Sequence, residues 1–368
     1  MKKTLRVGAA IAAALALTLT GCSSNGSSSS DSSNDTKTSE ASKLSGTLSG
    51  SGASSMGAAQ DAWRAGFQTA NPSVTVNYSP DGSGTGRKNF IAGAAHFAGS
   101  DSIMKDEELN ADLANCADGG AISLPVYISP IALAYNLEGV DELNLNADVI
   151  AKIFAGQITN WNDEAIAKAN PKAKLPDLPI VPVHRADKSG TTGNFTDTLS
   201  QIAPDIWTWG SVEEWPADAA AGEAGNKTNG VAEAIKNGNG YIGYIDDSGV
   251  EAGMGVAKYA PTGSSDYIEL TPEAAAKVVD ASSRVEGRAE NDYSLKLDRT
   301  AAGYPFVLVS YAIACQNYKD ASIGELVNAY LSYITSPEAQ EEATKTAFNA
   351  PLAGELSKNV QAAAKTIK

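Results

Sequence analysis

The chain has 368 residues, of which 19% are charged, and a formal net charge of −15 at pH 7. This acidity argues against nucleic acid and anionic lipid surfaces as partners of the folded part. The two histidines and three cysteines show no metal-ligand spacing, so neither a metal ion nor another cofactor is expected.

The start of the chain predicts export. Three basic residues come first: Lys2, Lys3 and Arg6. A short apolar run over 7–19 follows and leads into Leu-Thr-Gly before Cys22, a string that resembles a bacterial lipobox. We therefore interpret 1–22 as a lipoprotein signal peptide and Cys22 as the lipidated residue; the alternative is an ordinary secretory signal with a chance cysteine. The mature chain would carry a charge of −18, because no acidic residue leaves with the three basic ones.

The composition of residues 23–44 predicts a disordered tether. Ten of these 22 residues are serine and none is aromatic, so the segment cannot bury enough apolar surface to fold. As a flexible coil it would reach roughly 25 Å. We expect it to hold the folded part, anchored by lipid, at the extracytoplasmic face of the bacterial cell membrane.

Short apolar strand patterns alternate with helical patterns beyond the tether, which indicates an α/β architecture. A helix over 58–69 and strands over 74–78 and 97–101 come first. Further helices are predicted over 149–154, 163–169, 231–236, 323–334 and 337–346, with a strand over 240–246.

Two apolar runs are longer than a single strand requires. Ile122–Leu137 and Pro305–Ala314 could each pass from one lobe to another. The folded part is too long for one core and fits two lobes. Two crossings predict a discontinuous lobe I, residues 45–132 and 303–368, with lobe II, residues 133–302, inserted.

Several loops end a strand and open a helix, a geometry that points backbone N–H groups and a positive dipole end outward. The first contains Ser54 and Ser55, just before the helix over 58–69. Both serines occupy positions typical of a helix N-cap. They therefore either contact a ligand or only cap the helix.

The second loop, Asp81–Gly86, is rich in glycine. Gly82 lets the backbone approach an anion closely, and Ser83 adds a hydroxyl. A plain glycine turn is the alternative. Arg87 and Lys88 follow, and they either steer anions or face water.

The third motif is Gly-Ser-Asp at the end of the strand over 97–101. Asp101 as an ionised carboxylate can only accept hydrogen bonds, so it can pair only with a ligand that carries a proton. Phosphate does so at neutral pH and sulfate does not. The alternative is a surface aspartate that caps the turn at 104–106.

The fourth motif spans 184–192 and packs an arginine, a carboxylate and several hydroxyls into nine residues. Arg185 can hold two oxygens of an anion as a fork, and Asp187 can orient it. Hydroxyl and N–H donors follow: Ser189, Gly190 and Thr191. The alternative is a solvated helix cap with Arg185 in a surface pair.

From Leu44 to its C-terminus the chain resembles the phosphate-binding proteins of ABC-type phosphate importers. The resemblance rests on strings in order and spacing: Gly52-Ala53-Ser54, Val76-Asn77-Tyr78 with Gly82-Ser83-Gly84, Ala98-Gly99-Ser100-Asp101, Trp161 to Ala167, Arg185 to Thr191, and Gly240 to Tyr244. It implies a type II periplasmic-binding-protein fold, in which two α/β lobes are joined by two crossing strands around a ligand cleft.

The resemblance also implies a function and a site. A monomer would capture inorganic phosphate without chemistry and deliver it to an ABC-type permease. The matching phosphate contacts are Ser54, Ser55, Ser83, Asp101, Arg185, Ser189, Gly190 and Thr191, supported by Gly82 and Asp187. One departure is Ser55, where the family often has an aromatic residue followed by proline.

Other function classes stay open at this point. Ser102-x-x-Lys105 and Lys188-Ser189-Gly190 approximate two motifs of penicillin-recognising enzymes, but the middle motif is absent between them. A phosphatase would need a metal cluster or a nucleophile with a base. A surface adhesin or phosphate sensor could use the same lobes.

Two cysteines remain besides Cys22. Cys116 and Cys315 could form one disulfide, because an exported domain with two cysteines commonly does so. Two buried free thiols are the alternative.

Overall fold

The computed structural model describes residues 44–368. The predicted signal peptide, Cys22 and the tether through residue 43 lie outside the described residues. Strands and helices alternate along the described part, as the sequence patterns predict.

Elements are numbered in chain order within residues 44–368. The strands are β1 (Gly46–Gly52), β2 (Val74–Ser79), β3 (Phe97–Ser100), β4 (Ala121–Asn136), β5 (Asn144–Asn146), β6 (Val181–Arg185), β7 (Glu223–Gly225), β8 (Tyr241–Asp246), β9 (Gly255–Val256), β10 (Lys258–Ala260), β11 (Ser283–Arg284), β12 (Leu295–Lys296) and β13 (Val307–Cys315). The helices are α1 (Gly57–Ala70), α2 (Ser83–Ile91), α3 (Asp106–Leu109), α4 (Ala147–Phe154), α5 (Glu164–Ala169), α6 (Gly190–Ile202), α7 (Lys227–Asn237), α8 (Pro272–Asp280), α9 (Ala321–Ile334), α10 (Pro337–Ala347) and α11 (Gly354–Ala364).

The main sheet has nine strands in the order β2-β1-β3-β13-β4-β8-β6-β7, with β9 beside β4. β1 is parallel to β2 and β3, and β6 is parallel to β7 and β8. Between these two groups lie β13 and β4, which are antiparallel to each other and to their outer neighbours. The first parallel group falls in the predicted lobe I and the second in the predicted lobe II.

The long strand β4 links the two parallel groups. Its residues 121–130 pair with β13, and its residues 131–136 pair with β8. All but the last of its residues are buried, and so is all of β13. A strand covered on both faces reads as a continuous apolar run, which is why both strands are visible in the sequence.

Helix α1 shows how a surface helix joins this core. Ala59, Trp63 and Phe67 are buried at four-residue spacing, which places them on one face. The indole N–H of Trp63 donates to the carbonyl of Ala339 in α10 at 2.9 Å. The helix ends at Ala70, because Asn71 precedes a proline that disfavours helical backbone at that residue.

A disulfide joins Cys116 to Cys315, with Cα atoms 5.1 Å apart and a sequence separation of 199. It ties the chain after α3 to the end of β13. The predicted disulfide is confirmed, and the free-thiol alternative is wrong. In residues 44–368 no helix combines the length and apolarity that crossing a membrane requires.

Candidate functional site

Four helices begin at one cleft, α1 and α2 from lobe I and α6 and α7 from lobe II. Loops from opposite lobes touch there: Ser54 Oγ lies 2.9 Å from Thr228 Oγ1, and the Gly84 N–H donates to the Lys188 carbonyl at 3.4 Å. The lobes are therefore closed on each other. The positive dipole ends of these helices favour an anion between them.

The two serines of the first loop do not cap α1. The N-cap is Met56, and it makes no side-chain capping hydrogen bond. Ser54 instead accepts a hydrogen bond from the Thr228 N–H at 3.2 Å. Ser55 is fully buried and its hydroxyl donates to Asp101 Oδ1 at 2.7 Å. The capping interpretation is wrong, because both hydroxyls face the cleft.

Asp101 sits at the centre of the cleft, just beyond the end of β3. Its Oδ1 accepts from the hydroxyls of Ser55 and Ser310, both at 2.7 Å, and its Oδ2 accepts from Thr191 Oγ1 of lobe II at 3.2 Å. Its backbone N–H donates to Ser83 Oγ at 3.1 Å. The residue is 4% exposed, so the alternative of a surface cap is wrong.

Burial raises the pKa of the Asp101 carboxyl above its ordinary value. The hydroxyls of Ser310 and Ser55 and the charge of Arg185 act in the opposite direction without cancelling this effect. Desolvation disfavours the charged form of this carboxyl, whereas hydrogen bonds from hydroxyl donors favour it. The cleft thus places the Asp101 carboxyl among hydroxyl donors.

Two glycines permit the close approach of the lobes. Gly82 has φ +93°, and a Cβ there would lie 2.6 Å from Asp187 Oδ2. A Cβ on Gly190 would lie 2.7 Å from both the Asp101 Cβ and Ser83 Oγ. A side chain at Gly190 would therefore collide with the opposite lobe, and at Gly82 the backbone conformation itself favours glycine.

Arg185 ends β6 and is only 4% exposed. Asp187 holds it in a two-bond fork, at 2.7 Å from Nε and 2.5 Å from Nη2. Burial raises the pKa of Asp187, but the Arg185 contacts outweigh this and the pKa lies below its ordinary value. The predicted orienting role of Asp187 agrees with this geometry, and the alternative of a surface pair for Arg185 is wrong.

The start of α6 carries the remaining predicted donors. Ser189 is the N-cap, and its Oγ accepts from the Thr192 N–H at 3.3 Å. Thr192 Oγ1 lies 2.7 Å from the hydroxyl of Tyr244, which also accepts from the Arg185 N–H at 3.1 Å. These bonds fix the loop between β6 and α6 against β8.

Ser310 was missed in the sequence. It lies within β13, where the register shifts so that Ser310 pairs with Tyr127 but Tyr311 pairs with Pro125. Such a bulge re-aims side chains, and here the Ser310 hydroxyl reaches Asp101. The available signal was the one serine within the second apolar crossing run.

The loop before α7 was missed as well. The helix begins at Lys227, four residues before the predicted start. Lys227 has φ +60°, its N–H donates to Asp187 at 3.0 Å, and its Nζ lies 3.0 Å from Asp81 of lobe I. The polar string Asn-Lys-Thr-Asn was the available signal for this loop. It was not recognised as a loop between a strand and a helix, because β7 before it has only three residues.

Arg87 neither steers anions nor faces water. Its side chain is fully buried and pairs with Glu108 of lobe I and Glu213 of lobe II. Lys88 is exposed, in agreement with the water-facing alternative. Arg87 is therefore part of the closed structure and not of the anion-binding surface.

The cleft presents both donors and an acceptor to an anion. Hydroxyls, helix N-termini and Arg185 supply donors, and Asp101 supplies an acceptor. Within residues 44–368 no group of three or more His, Cys, Asp or Glu side chains is placed to hold a metal ion.

Known proteins match this chain over most of its length. The PBP superfamily domain matches residues 37–338. The phosphate-binding protein PstS 3 of Mycobacterium leprae is 32% identical over 323 residues, which cover 82% of this chain and 85% of that protein. The chain belongs to the PstS family of phosphate-binding proteins. PstS2 of Mycobacterium bovis is also 32% identical, over 78% of each chain.

Solved structures agree on the fold. The high-affinity periplasmic phosphate-binding protein PfluDING, solved with bound phosphate, superposes with a TM-score of 0.67 at 19% identity, covering 86% of this chain and 93% of that one. The phosphate-binding protein of Stenotrophomonas maltophilia gives a TM-score of 0.62 at 21% identity over the same shares. The predicted α/β fold of type II periplasmic-binding proteins is confirmed.

Proposed function

We propose that this protein captures inorganic phosphate outside the cytoplasmic membrane and delivers it to an ABC-type phosphate permease, by closing its lobes and without chemistry. The observation that carries the proposal is Asp101, a buried acceptor surrounded by donors from both lobes. An ionised carboxylate tolerates only an anion that brings a proton of its own. The names of the PstS relatives support the same ligand.

The proposed phosphate contacts come from both lobes. They are Ser54, Ser55, Ser83, Asp101, Arg185, Ser189, Gly190 and Thr191, with Gly82 and Asp187 in support. The donors replace the hydration shell of the anion, while Asp101 accepts its proton. No covalent step is part of this function, so p-nitrophenyl phosphate should not be hydrolysed.

The proposed lobes are residues 45–132 with 303–368, and 133–302. They would open and close about β4 and β13, a hinge motion that buries the ligand. We further propose that the protein acts as a monomer held near the permease by lipid on Cys22. Mass spectrometry of the mature N-terminus tests the anchor, and an unmodified first residue other than Cys22 would contradict it.

Calorimetry on the mature chain, stripped of bound phosphate, tests the ligand. We expect one phosphate per chain and sulfate binding at least about a hundredfold weaker, because an unmatched buried acceptor costs several kcal/mol. Absence of phosphate binding, or equal binding of sulfate, would overturn the proposal.

A further inference from the structure

Arg87 and Glu213 contact each other between the lobes, and neither is among the proposed phosphate contacts. Nε of Arg87 donates to both carboxylate oxygens of Glu108 at 3.0 Å, and Nη1 donates to Ser100 Oγ at 2.9 Å. These three bonds lie within lobe I. They fix the planar guanidinium so that Nη2 points across the cleft, where it donates to Glu213 Oε2 at 2.7 Å.

Glu213 is joined to the loop that carries the lobe II donors. Its backbone carbonyl accepts from the Ser189 N–H at 2.9 Å. The neighbouring Val212 exchanges two bonds of 2.9 Å with Thr196 Oγ1 of α6, one through its N–H and one through its carbonyl. These bonds couple Glu213 to the N-terminal part of α6. A force between Arg87 and the Glu213 side chain is therefore transmitted to that part of the helix.

We propose that Arg87 and Glu213 form a latch that holds the closed lobes together and slows the release of phosphate. The inference rests on the proposed function, because it assigns the latch to the same ligand. Neither residue touches the ligand in this account; both are positioning residues that act through the relative placement of the lobes.

Burial separates the latch from an ordinary surface pair. The Arg87 side chain is fully buried and that of Glu213 is 9% exposed, so water screens their attraction poorly. The Arg87 guanidinium holds the pKa of Glu213 below its ordinary value against the opposing effect of burial. Both groups are thus charged at neutral pH.

The latch can open because Arg87 and Glu213 each keep another charged partner when they separate. On separation Arg87 keeps Glu108, and Glu213 keeps Lys188, whose Nζ lies 3.6 Å from Oε2. Leaving a buried charge unpaired would be costly, and these second partners remove that cost. The contact therefore resists opening without preventing it.

A second ion pair between the lobes provides the matched control. Asp81 and Lys227 lie 3.0 Å apart but are 38% and 40% exposed. An exposed pair contributes little, so Asp81→Asn should change phosphate release by less than about threefold.

The test measures phosphate association and dissociation rates by stopped flow on the mature chain. Glu213→Gln keeps the backbone bond to Ser189 and loses the charge pair. We expect dissociation to accelerate about tenfold to a hundredfold while association changes less than about threefold, since charge-assisted hydrogen bonds act mainly on dissociation. Arg87→Lys, which keeps the charge but loses the fork, should shift dissociation in the same direction.

The outcomes separate the two proposals. If the wild-type chain does not bind phosphate, the proposed function fails. If it binds, and both latch variants release phosphate at the wild-type rate, or lose affinity only through slower association, the latch is overturned. Acceleration by Asp81→Asn equal to that of Glu213→Gln would also overturn it.

Discussion

The two lobes bring different chemistry to the cleft. Both lobes supply hydroxyls and helix N-termini, but lobe I adds the carboxyl of Asp101 and lobe II adds the guanidinium of Arg185. A cation attracts any anion. A buried hydrogen-bond acceptor, in contrast, is satisfied only by an anion that carries a proton to donate. From the proposed function we therefore expect binding strength to depend mainly on lobe II and the choice of anion mainly on lobe I.

We expect the largest effect on binding from removing the charge of Arg185 in lobe II. Arg185→Ala should weaken phosphate and sulfate binding alike, by about 3 to 5 kcal/mol for phosphate, because a desolvated charge partner is lost. Calorimetry with both anions checks this. Arg185→Lys retains a charge without the fork and should lose less; an affinity of Arg185→Ala close to wild type would remove Arg185 from the site.

Asp246 is a second buried acid in the described chain, and it offers a comparison with Asp101. Asp246 lies where β8 leaves β4, accepts from Tyr127 at 3.1 Å, and is 1% exposed; burial raises its pKa to about 7. Because the folded chain binds this proton more tightly than the unfolded chain, its contribution to stability is present at low pH and is lost as pH rises from about 4 to about 7.

Asp246→Asn should abolish that part of the pH dependence. The free energy of unfolding of wild type relative to the variant should fall by up to about 4 kcal/mol across this interval and level off above it. Urea unfolding at several pH values measures the difference. A difference that stays constant with pH would contradict the shifted pKa.

The contact between the lobes can be weakened without touching a charge. Gly190→Ala places a methyl 2.7 Å from Asp101 Cβ and Ser83 Oγ, so the lobes must separate slightly. We expect a loss of about 1 to 3 kcal/mol in phosphate affinity, typical of overpacking. Gly57→Ala at the start of α1 meets no atom within 4 Å and is the control. Equal affinities of the two variants would contradict the tight interlobe contact.

Parts of this arrangement were predictable because they depend on neighbours in sequence. The alternation in β2 and the apolar runs of β4 and β13 report burial directly. β1 gives no such pattern, since Leu48 is the only large apolar residue among its glycines and serines. Thr228 contacts Ser54, and Ser310 reaches Asp101 through a bulge in β13. The local sequence encodes neither contact.

Long-range pairing explains the error on Arg87. Its partners Glu108 and Glu213 lie 21 and 126 residues away, so the sequence displays a basic residue beside an anion loop and nothing that buries it. Asp101 was predictable as an acceptor from its place at a strand end. Its hydroxyl partners come from four separate segments and could not be assigned together.

The most direct test of the account compares the ratio of phosphate to sulfate affinity in wild type and in Asp101→Asn, by calorimetry on phosphate-stripped chains. Asp246→Asn, a buried acid outside the proposed contacts, is the control. We predict that the ratio falls at least about tenfold in Asp101→Asn and is retained in Asp246→Asn, since a buried unmatched acceptor costs about 1 to 3 kcal/mol and about 1.4 kcal/mol corresponds to tenfold. An unchanged ratio in Asp101→Asn would contradict the assignment of anion choice to lobe I.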